Sequence, residues 1–216
     1  MWRLRKWQIR SRVHSSIDRN LAQAMNELDR LSGKVNISPP VKEKAAVIYR
    51  KALDKHLVRG RSINSIVAAT LYAACRKSGS PKTLSEISKA SLVHKKDVSR
   101  CYRRLFQELD FHMPPSDPLT YVSKIAEKNE ISGKTQGAAI AILGEARRKR
   151  FLAGKDPMGM AAAALYIACL QNNEKITQRA ISEAAGVTEV TIRNRYKALM
   201  RQLNLETPDK RALLIA

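Results

Sequence analysis

The sequence predicts an all-α protein made of two tandem five-helix units, the second ending in a helix-turn-helix. Three observations carry this. First, the chain repeats: Leu71-Tyr72-Ala73-Ala74-Cys75 returns as Leu165-Tyr166-Ile167-Ala168-Cys169, a shift of 94 residues. The same shift, without a gap, pairs Ile37-Ser38 with Ile131-Ser132, Gly60 with Gly154, Ala68-Ala69 with Ala162-Ala163, Ile87-Ser88 with Ile181-Ser182, and Tyr102 with Tyr196. Roughly a fifth to a quarter of the paired positions are identical, spread along the whole unit, which marks a duplicated domain. Second, apolar residues recur at helical spacing and no segment alternates as a strand would. Third, the apolar fraction is 44% but aromatics only 5%, so Ala, Leu, Ile and Val dominate and suit close helix packing.

Taken in order, the first helix of copy one carries Ile17, Leu21, Ala24, Met25, Leu28 and Leu31 on one face. Ser38-Pro39 reads as an N-cap with proline at the first helical position, and Gly60 closes that second helix. Ser62 opens a third helix with Ile66, Ala69, Thr70, Ala73 and Ala74; it is small all round, so it is expected to be the buried centre. Gly79 and Pro81 end it, and Thr83-Leu84-Ser85-Glu86 is a capping box for a short fourth helix. A turn near Leu92-Val93 leads to a fifth helix through Val98, Tyr102, Leu105 and Leu109. In copy two, Asp117-Pro118, Ser132, Asp156-Pro157, Thr177 and Thr188 start the five corresponding helices. The expected organisation is a basic arm (1–16), copy one (17–113), copy two (114–207) and a tail (208–216), with three prolines stiffening the linker Met113–Pro118.

The net charge is +21, with 40 Lys+Arg against 19 Asp+Glu. A balance this basic opposes compaction and points to a polyanionic partner. It is uneven: residues 1–113 carry +15 and residues 114–216 carry +6, so the copies are expected to meet that partner differently. In the arm, Trp2, Leu4, Trp7, Ile9 and Val13 interleave with Arg3, Arg5, Lys6, Arg10 and Arg12 without an acid, as in a linker that docks on a partner. Cys75, Cys101 and Cys169 have no ligand spacing, and the four histidines are scattered, so no metal or other cofactor is expected. A sparse, odd cysteine set fits a reducing, cytoplasmic setting, and no apolar run is long enough to cross a membrane.

Residues 177–196 form the strongest local motif. Thr177 caps a short helix, and Ile181 with Ala184-Ala185 face inward. Gly186 stands where the turn needs a positive φ, Val187 fills the corner, and Thr188 caps the next helix. With Ile192 and Tyr196 inward, Glu189, Val190, Arg193, Asn194 and Lys197 are left outward. Such a helix enters a DNA major groove N-terminus first. There Arg193 can pair with guanine, Val190 can touch a thymine methyl, and Asn194 can reach a base edge or phosphate. Copy one has Leu92 in place of Gly186, and its Lys95, Lys96, Arg100, Arg103 and Arg104 suit phosphates better than base edges.

Gly60-Arg61-Ser62, Leu71 to Arg76 and Thr83 to Ile87 in copy one, with Leu165 to Cys169 and Gly186 to Tyr196 in copy two, closely resemble the core of archaeal transcription factor B, the counterpart of eukaryotic TFIIB. Leu4-Arg5-Lys6-Trp7-Gln8 resembles that family's linker ahead of the core. The resemblance covers nearly the whole chain and implies two cyclin-like repeats and a general initiation factor that binds the TATA-binding protein on bent promoter DNA. It implies that the second-copy helix-turn-helix reads the B-recognition element through Val190, Thr191, Arg193, Asn194 and Arg195, with Gln178, Arg179 and Lys197 beside them. It further implies minor-groove contacts near Lys96, Ser99 and Arg100, and contacts of Arg61, Lys82, Lys95 and Lys96 with the acidic stirrup of the TATA-binding protein. RNA polymerase contacts would fall on Arg3, Arg5, Lys6, Trp7, Arg10 and Arg12. The family's zinc ribbon needs CxxC pairs, which this sequence lacks; that leaves a core fragment or a shortened paralogue, and a core fragment is expected, monomeric and without cofactor.

A cyclin proper, which holds a kinase, is the alternative on the same fold, but it needs neither the +21 charge nor the recognition helix. A bacterial-type repressor places one such motif per subunit of a symmetric dimer, unlike two differing copies in series. No carboxylate pair, nucleophile–base set or phosphate loop supports an enzyme.

Overall fold

The structure is a computed structural model that describes residues 16–110 and 117–205. The basic arm up to Ser15, the linker up to Ser116 and the tail lie outside those residues, and Ser16, expected to end the arm, opens the first helix. The chain divides into two compact units between Pro114 and Pro115. Unit one holds α1 (Ser16–Lys34), α2 (Pro39–Asp54), α3 (Ile63–Lys77), α4 (Leu84–Ser91) and α5 (Lys95–Glu108). Unit two holds α6 (Leu119–Lys128), α7 (Gly133–Arg148), α8 (Pro157–Gln171), α9 (Gln178–Ala185) and α10 (Glu189–Leu203). Every regular element among the described residues is a helix, and none is long and apolar enough to cross a membrane.

In each unit the third helix is the hub. α3 touches α1, α2, α4 and α5; α8 touches α6, α7, α9 and α10. A helix surrounded on all sides can carry only small or apolar side chains, because neighbouring axes come within about 8–10 Å. Ile66, Ala68, Ala69, Leu71, Ala73, Ala74 and Cys75 have no exposed surface, nor do Met160 to Leu165 and Ile167 to Cys169. The buried Thr70 hydroxyl donates to the Val67 carbonyl at 2.9 Å, so it leaves no orphaned donor. A pair of tyrosines locks the fifth helix onto the hub in both units. Tyr72 and Tyr102 meet edge-to-face at 4.9 Å between centroids, and their equivalents Tyr166 and Tyr196 do so at 5.6 Å.

Most expected caps form as the side-chain chemistry dictates. Thr83 and Glu86 close a reciprocal capping box, and Ser62, Ser132, Asp156, Thr177 and Thr188 each accept a hydrogen bond from the backbone three residues on. Four details differ. The second helix ends at Asp54 with Lys55 in the cap position, so Gly60, expected to close it, lies in the loop beyond. Ser38 occupies the cap of α2, but its side chain makes no cap bond. Pro39 and Pro40 have no N–H to donate, and the Ser38 carbonyl takes those of Val41 and Lys42. At the start of α6 Pro118 stands in the cap position, while the Asp117 carboxylate accepts the Leu119 N–H at 3.1 Å. Ile17, expected on the inner face of α1, is 53% exposed, because it lies in the first turn of that helix, before the packed stretch begins at Leu21.

The turns repeat more faithfully than the residues. Left-handed backbone occurs at Asn36, His56, Gly60, Gly79, Leu92 and Asp110, and again 94 residues on at Glu130, Arg150, Gly154, Asn173, Gly186 and Asn204. At the fourth-to-fifth-helix turn, Gly186 has φ 67° and ψ 31°, and Leu92 has φ 57° and ψ 22°. The sequence departure at Leu92 therefore does not change the turn. Packing of α4 and α5 on α3 holds a leucine where glycine is unstrained, with its side chain 85% exposed. Leu92→Gly is expected to raise the unfolding free energy by about 1 kcal/mol, and Gly186→Leu to lower it by a similar amount, in denaturant titrations.

All three cysteines are buried and unpaired. Burial pushes the Cys75 thiol up to about 11, the Cys169 thiol up to about 12 and the Tyr49 phenol up to about 12. In the unfolded chain these groups ionise near their ordinary values, 9 for the thiols and 10 for the phenol. The stability they contribute is fully present below about pH 9 and is lost as pH rises toward 11 and 12. Thermal melts are expected to shift downward over that window, and Cys75→Ala and Cys169→Ala together should flatten the shift.

Candidate nucleic-acid interface

The second unit's helix-turn-helix is assembled from local bonds. Thr177 Oγ1 accepts the Ala180 N–H at 3.1 Å to start α9. The Gly186 and Val187 N–H groups both donate to the Ser182 carbonyl, at 2.8 and 3.2 Å, and so turn the chain. Thr188 Oγ1 accepts the Thr191 N–H at 3.3 Å, and the two threonine hydroxyls lie 2.8 Å apart. Ile192, Tyr196, Leu199, Met200 and Leu203 anchor the inner face of α10. Its outer face is then set by helical spacing alone: Val190, Arg193, Asn194, Lys197 and Arg201 are all exposed. Val190 is 61% exposed, an apolar contact offered among cations.

Thr191 and Arg195 are half-buried and sit on the flank of that face. A side chain added at Gly159 would meet Thr191 Cγ2 at 3.2 Å and Arg195 Cγ at 3.9 Å, so α10 crosses the start of α8 at this glycine. The stem of Arg195 is thus partly a packing element. Gln178, the first residue of α9, is half-buried. Arg179 is exposed but already paired: its Nε donates to Glu183 Oε1 at 3.0 Å.

The first unit builds the same helix pair with different chemistry outward. His94 Nδ1 accepts the Lys96 N–H at 3.2 Å to start α5, and the Ser88 hydroxyl donates to the Val93 carbonyl at 2.8 Å. Val98, Cys101 and Leu105 are buried, which turns Lys96, Arg100, Arg103, Arg104 and Gln107 outward, while Ser99 is half-buried. Arg61, in the loop ahead of α3, joins Arg100, Arg103, Arg104, Gln107 and Glu108 around one open groove. Arg100 also pairs with Asp97 at 3.6 Å.

The structure therefore groups the sequence candidates differently. Arg61 belongs with the α5 arginines, whereas Lys82 lies beyond the other end of α3, a helix about 22 Å long at fifteen residues. Lys95 and Lys96 are exposed at the start of α5. Arg103 and Arg104 complete the groove; their spacing from Arg100 and Gln107 showed a shared face, but their proximity to Arg61 required the fold. Arg3, Arg5, Lys6, Trp7, Arg10 and Arg12 lie outside the described residues. Among the described residues no cluster of His, Cys, Asp and Glu is arranged to hold a metal ion.

The transcription factor TFIIB repeat pattern matches this chain twice, over residues 17–108 and 111–202, two stretches that start 94 residues apart. The transcription initiation factor IIB of Sulfurisphaera tokodaii is 53% identical over 208 residues, covering 96% of this chain and 68% of that protein. That of Saccharolobus shibatae is 53% identical over 206 residues, covering 95% and 67%, and that of Ignicoccus hospitalis is 50% identical over 202 residues, covering 94% and 64%. The chain spans about two thirds of the length of these relatives. With two consecutive matches that together take in most of its length, the chain belongs to the transcription factor IIB family.

Proposed function

We propose that this chain acts as the core of a general transcription initiation factor, binding the TATA-binding protein–promoter complex and reading the B-recognition element with its second helix-turn-helix. It works by binding rather than catalysis, as a monomer, and it orients the assembly for RNA polymerase. The observation that carries the reading is the outer face of α10, where Val190, Arg193 and Asn194 stand exposed on a helix fixed by Ile192 and Tyr196. A helix about 10–12 Å across fits the roughly 12 Å major groove, and these residue types match base edges: arginine for guanine, an aliphatic group for the thymine methyl. Lys197 and Arg201 continue the face toward phosphates.

The first unit supplies backbone grip in this reading. Arg61, Arg100, Arg103 and Arg104 converge on one groove, and four guanidinium groups there favour phosphodiester over any neutral ligand. Ser99 and Lys96 border the same helix face. Lys82 and Lys95, with Lys96, remain the proposed contacts for an acidic edge of the TATA-binding protein, and the arm from Arg3 to Arg12 is proposed to meet polymerase.

The deciding experiment is a gel shift on TATA-box duplexes, with and without TATA-binding protein, varying the bases upstream. Binding that requires both the protein and particular upstream bases supports the proposal; binding indifferent to both refutes it. Arg193→Ala is expected to cost about 1–3 kcal/mol and to relax preference at one upstream base pair. Arg103→Ala with Arg104→Ala is expected to weaken binding alike on every sequence. It should also reduce the slope of log affinity against log salt by about 1–2, since each lost phosphate contact removes about 0.9.

A further inference from the structure

The recognition surface of unit two is less basic than that of unit one, and the difference is concentrated. Under the 94-residue shift, copy one has Lys and copy two has Glu at three pairs: Lys51 and Glu145, Lys89 and Glu183, Lys95 and Glu189. Two of the three fall in the helix-turn-helix. Glu183 lies in the last turns of α9, Glu189 is the first residue of α10, and both are exposed. Glu183 holds Arg179 at 3.0 Å, and Glu189 lies close enough to add to the field on the same guanidinium. A surface meant only to cling to DNA would keep the lysines, because each exposed carboxylate repels phosphate. Here a carboxylate stands at the first residue of α10, the helix proposed to enter the groove.

We infer that Glu183 and Glu189 are specificity determinants of the second helix-turn-helix, Glu189 accepting a hydrogen bond from a cytosine N4 amino group while both carboxylates repel phosphate out of register. The inference rests on the proposal that α10 reads DNA. A carboxylate is acceptor-only, and among base edges of the major groove cytosine offers a donor with no acceptor of its own. Arg179 pairs with Glu183 at 3.0 Å across an exposed contact, so it positions that carboxylate and offsets part of its charge, and Glu189 carries the larger share of the repulsion. The sense of the design is subtractive: affinity for arbitrary duplex is given up so that the correct base pair counts for more.

The test compares wild type, Glu189→Gln, the double variant E183K/E189K, which restores the charges of copy one, and Arg193→Ala. Each is titrated, with TATA-binding protein, on TATA-box duplexes in which each upstream C·G pair is replaced in turn, and on a random duplex. Glu189→Gln is expected to lose about tenfold in preference at one C·G pair, with its melting temperature unchanged. E183K/E189K is expected to bind the random duplex about tenfold tighter at low salt, with a salt slope steeper by up to about 2, and to lose most of its sequence preference. Unchanged preference in both variants overturns the inference. So does a lowered melting temperature for Glu189→Gln with preference intact, which would make Glu189 only a helix-end acid. If Arg193→Ala alters preference while the glutamate variants do not, this inference fails alone. If wild type has no upstream preference at all, the DNA-reading proposal has failed with it.

Discussion

Each unit is organised around one constraint: a central helix that must touch four neighbours at once. α3 and α8 can do so only because alanine, glycine and cysteine keep their surfaces shallow, and Leu71, Ile66 and their equivalents fill what remains. Everything else follows from that helix. The fifth helix of each unit packs on it and is pinned by an edge-to-face tyrosine pair, so its inner residues are fixed and its outer residues are presented in a set rotation. The direction in which Arg193 or Arg100 faces is thus decided by Ile192 with Tyr196 and by Val98 with Leu105, on the opposite side of the same helix.

Duplication preserved this scaffold and released the surface. The six left-handed turn positions of one copy recur in the other although only Gly60 and Gly154 pair glycine with glycine. Backbone geometry is shared because the helices it connects are packed alike, and the turn residue must adapt, even at the strain of a leucine in the left-handed region. Outward positions carry no such obligation. Lys96 opposes Val190, Ser99 opposes Arg193, and Arg100 opposes Asn194, so one framework presents a cationic groove in unit one and a mixed apolar and polar face in unit two. Partly exposed Tyr102, which accepts a hydrogen bond from Arg76 at 2.8 Å, shows the same divergence beside the locked pair, since its equivalent Tyr196 is buried and copy two has Leu170 at the position of Arg76.

Much of this was legible in the residues. The five helices per copy, the hub helix, the capping box at Thr83–Glu86, the glycine turn at Gly186 and the outward set on α10 all follow from local rules with periods of three to four residues. The misses share a cause. Ile17 matched the apolar spacing of α1, yet spacing alone does not say where a neighbouring helix ends. Ser38 had the chemistry of a cap, but its backbone carbonyl met the demand first. The Arg179–Glu183 ion pair was not read from the residues, because a partner four residues on counts only once both are known to lie on one exposed helix face.

The sequence by itself determined the architecture of two like helical units, the residues that line each core, and the sign and asymmetry of the charge. Those properties depend on composition and on contacts within a turn or two of helix, which order in the chain encodes directly. Only the tertiary structure decided which distant side chains act together. Arg61 and Arg104 share a groove across 43 positions of chain, and Lys82 is set apart from Arg61 by the length of α3. Gly159 and Thr191 meet where α8 and α10 cross. Such proximities arise from the packing angles of helices on a common hub, and those angles are set by the summed shape of many small side chains that no local pattern in the sequence records.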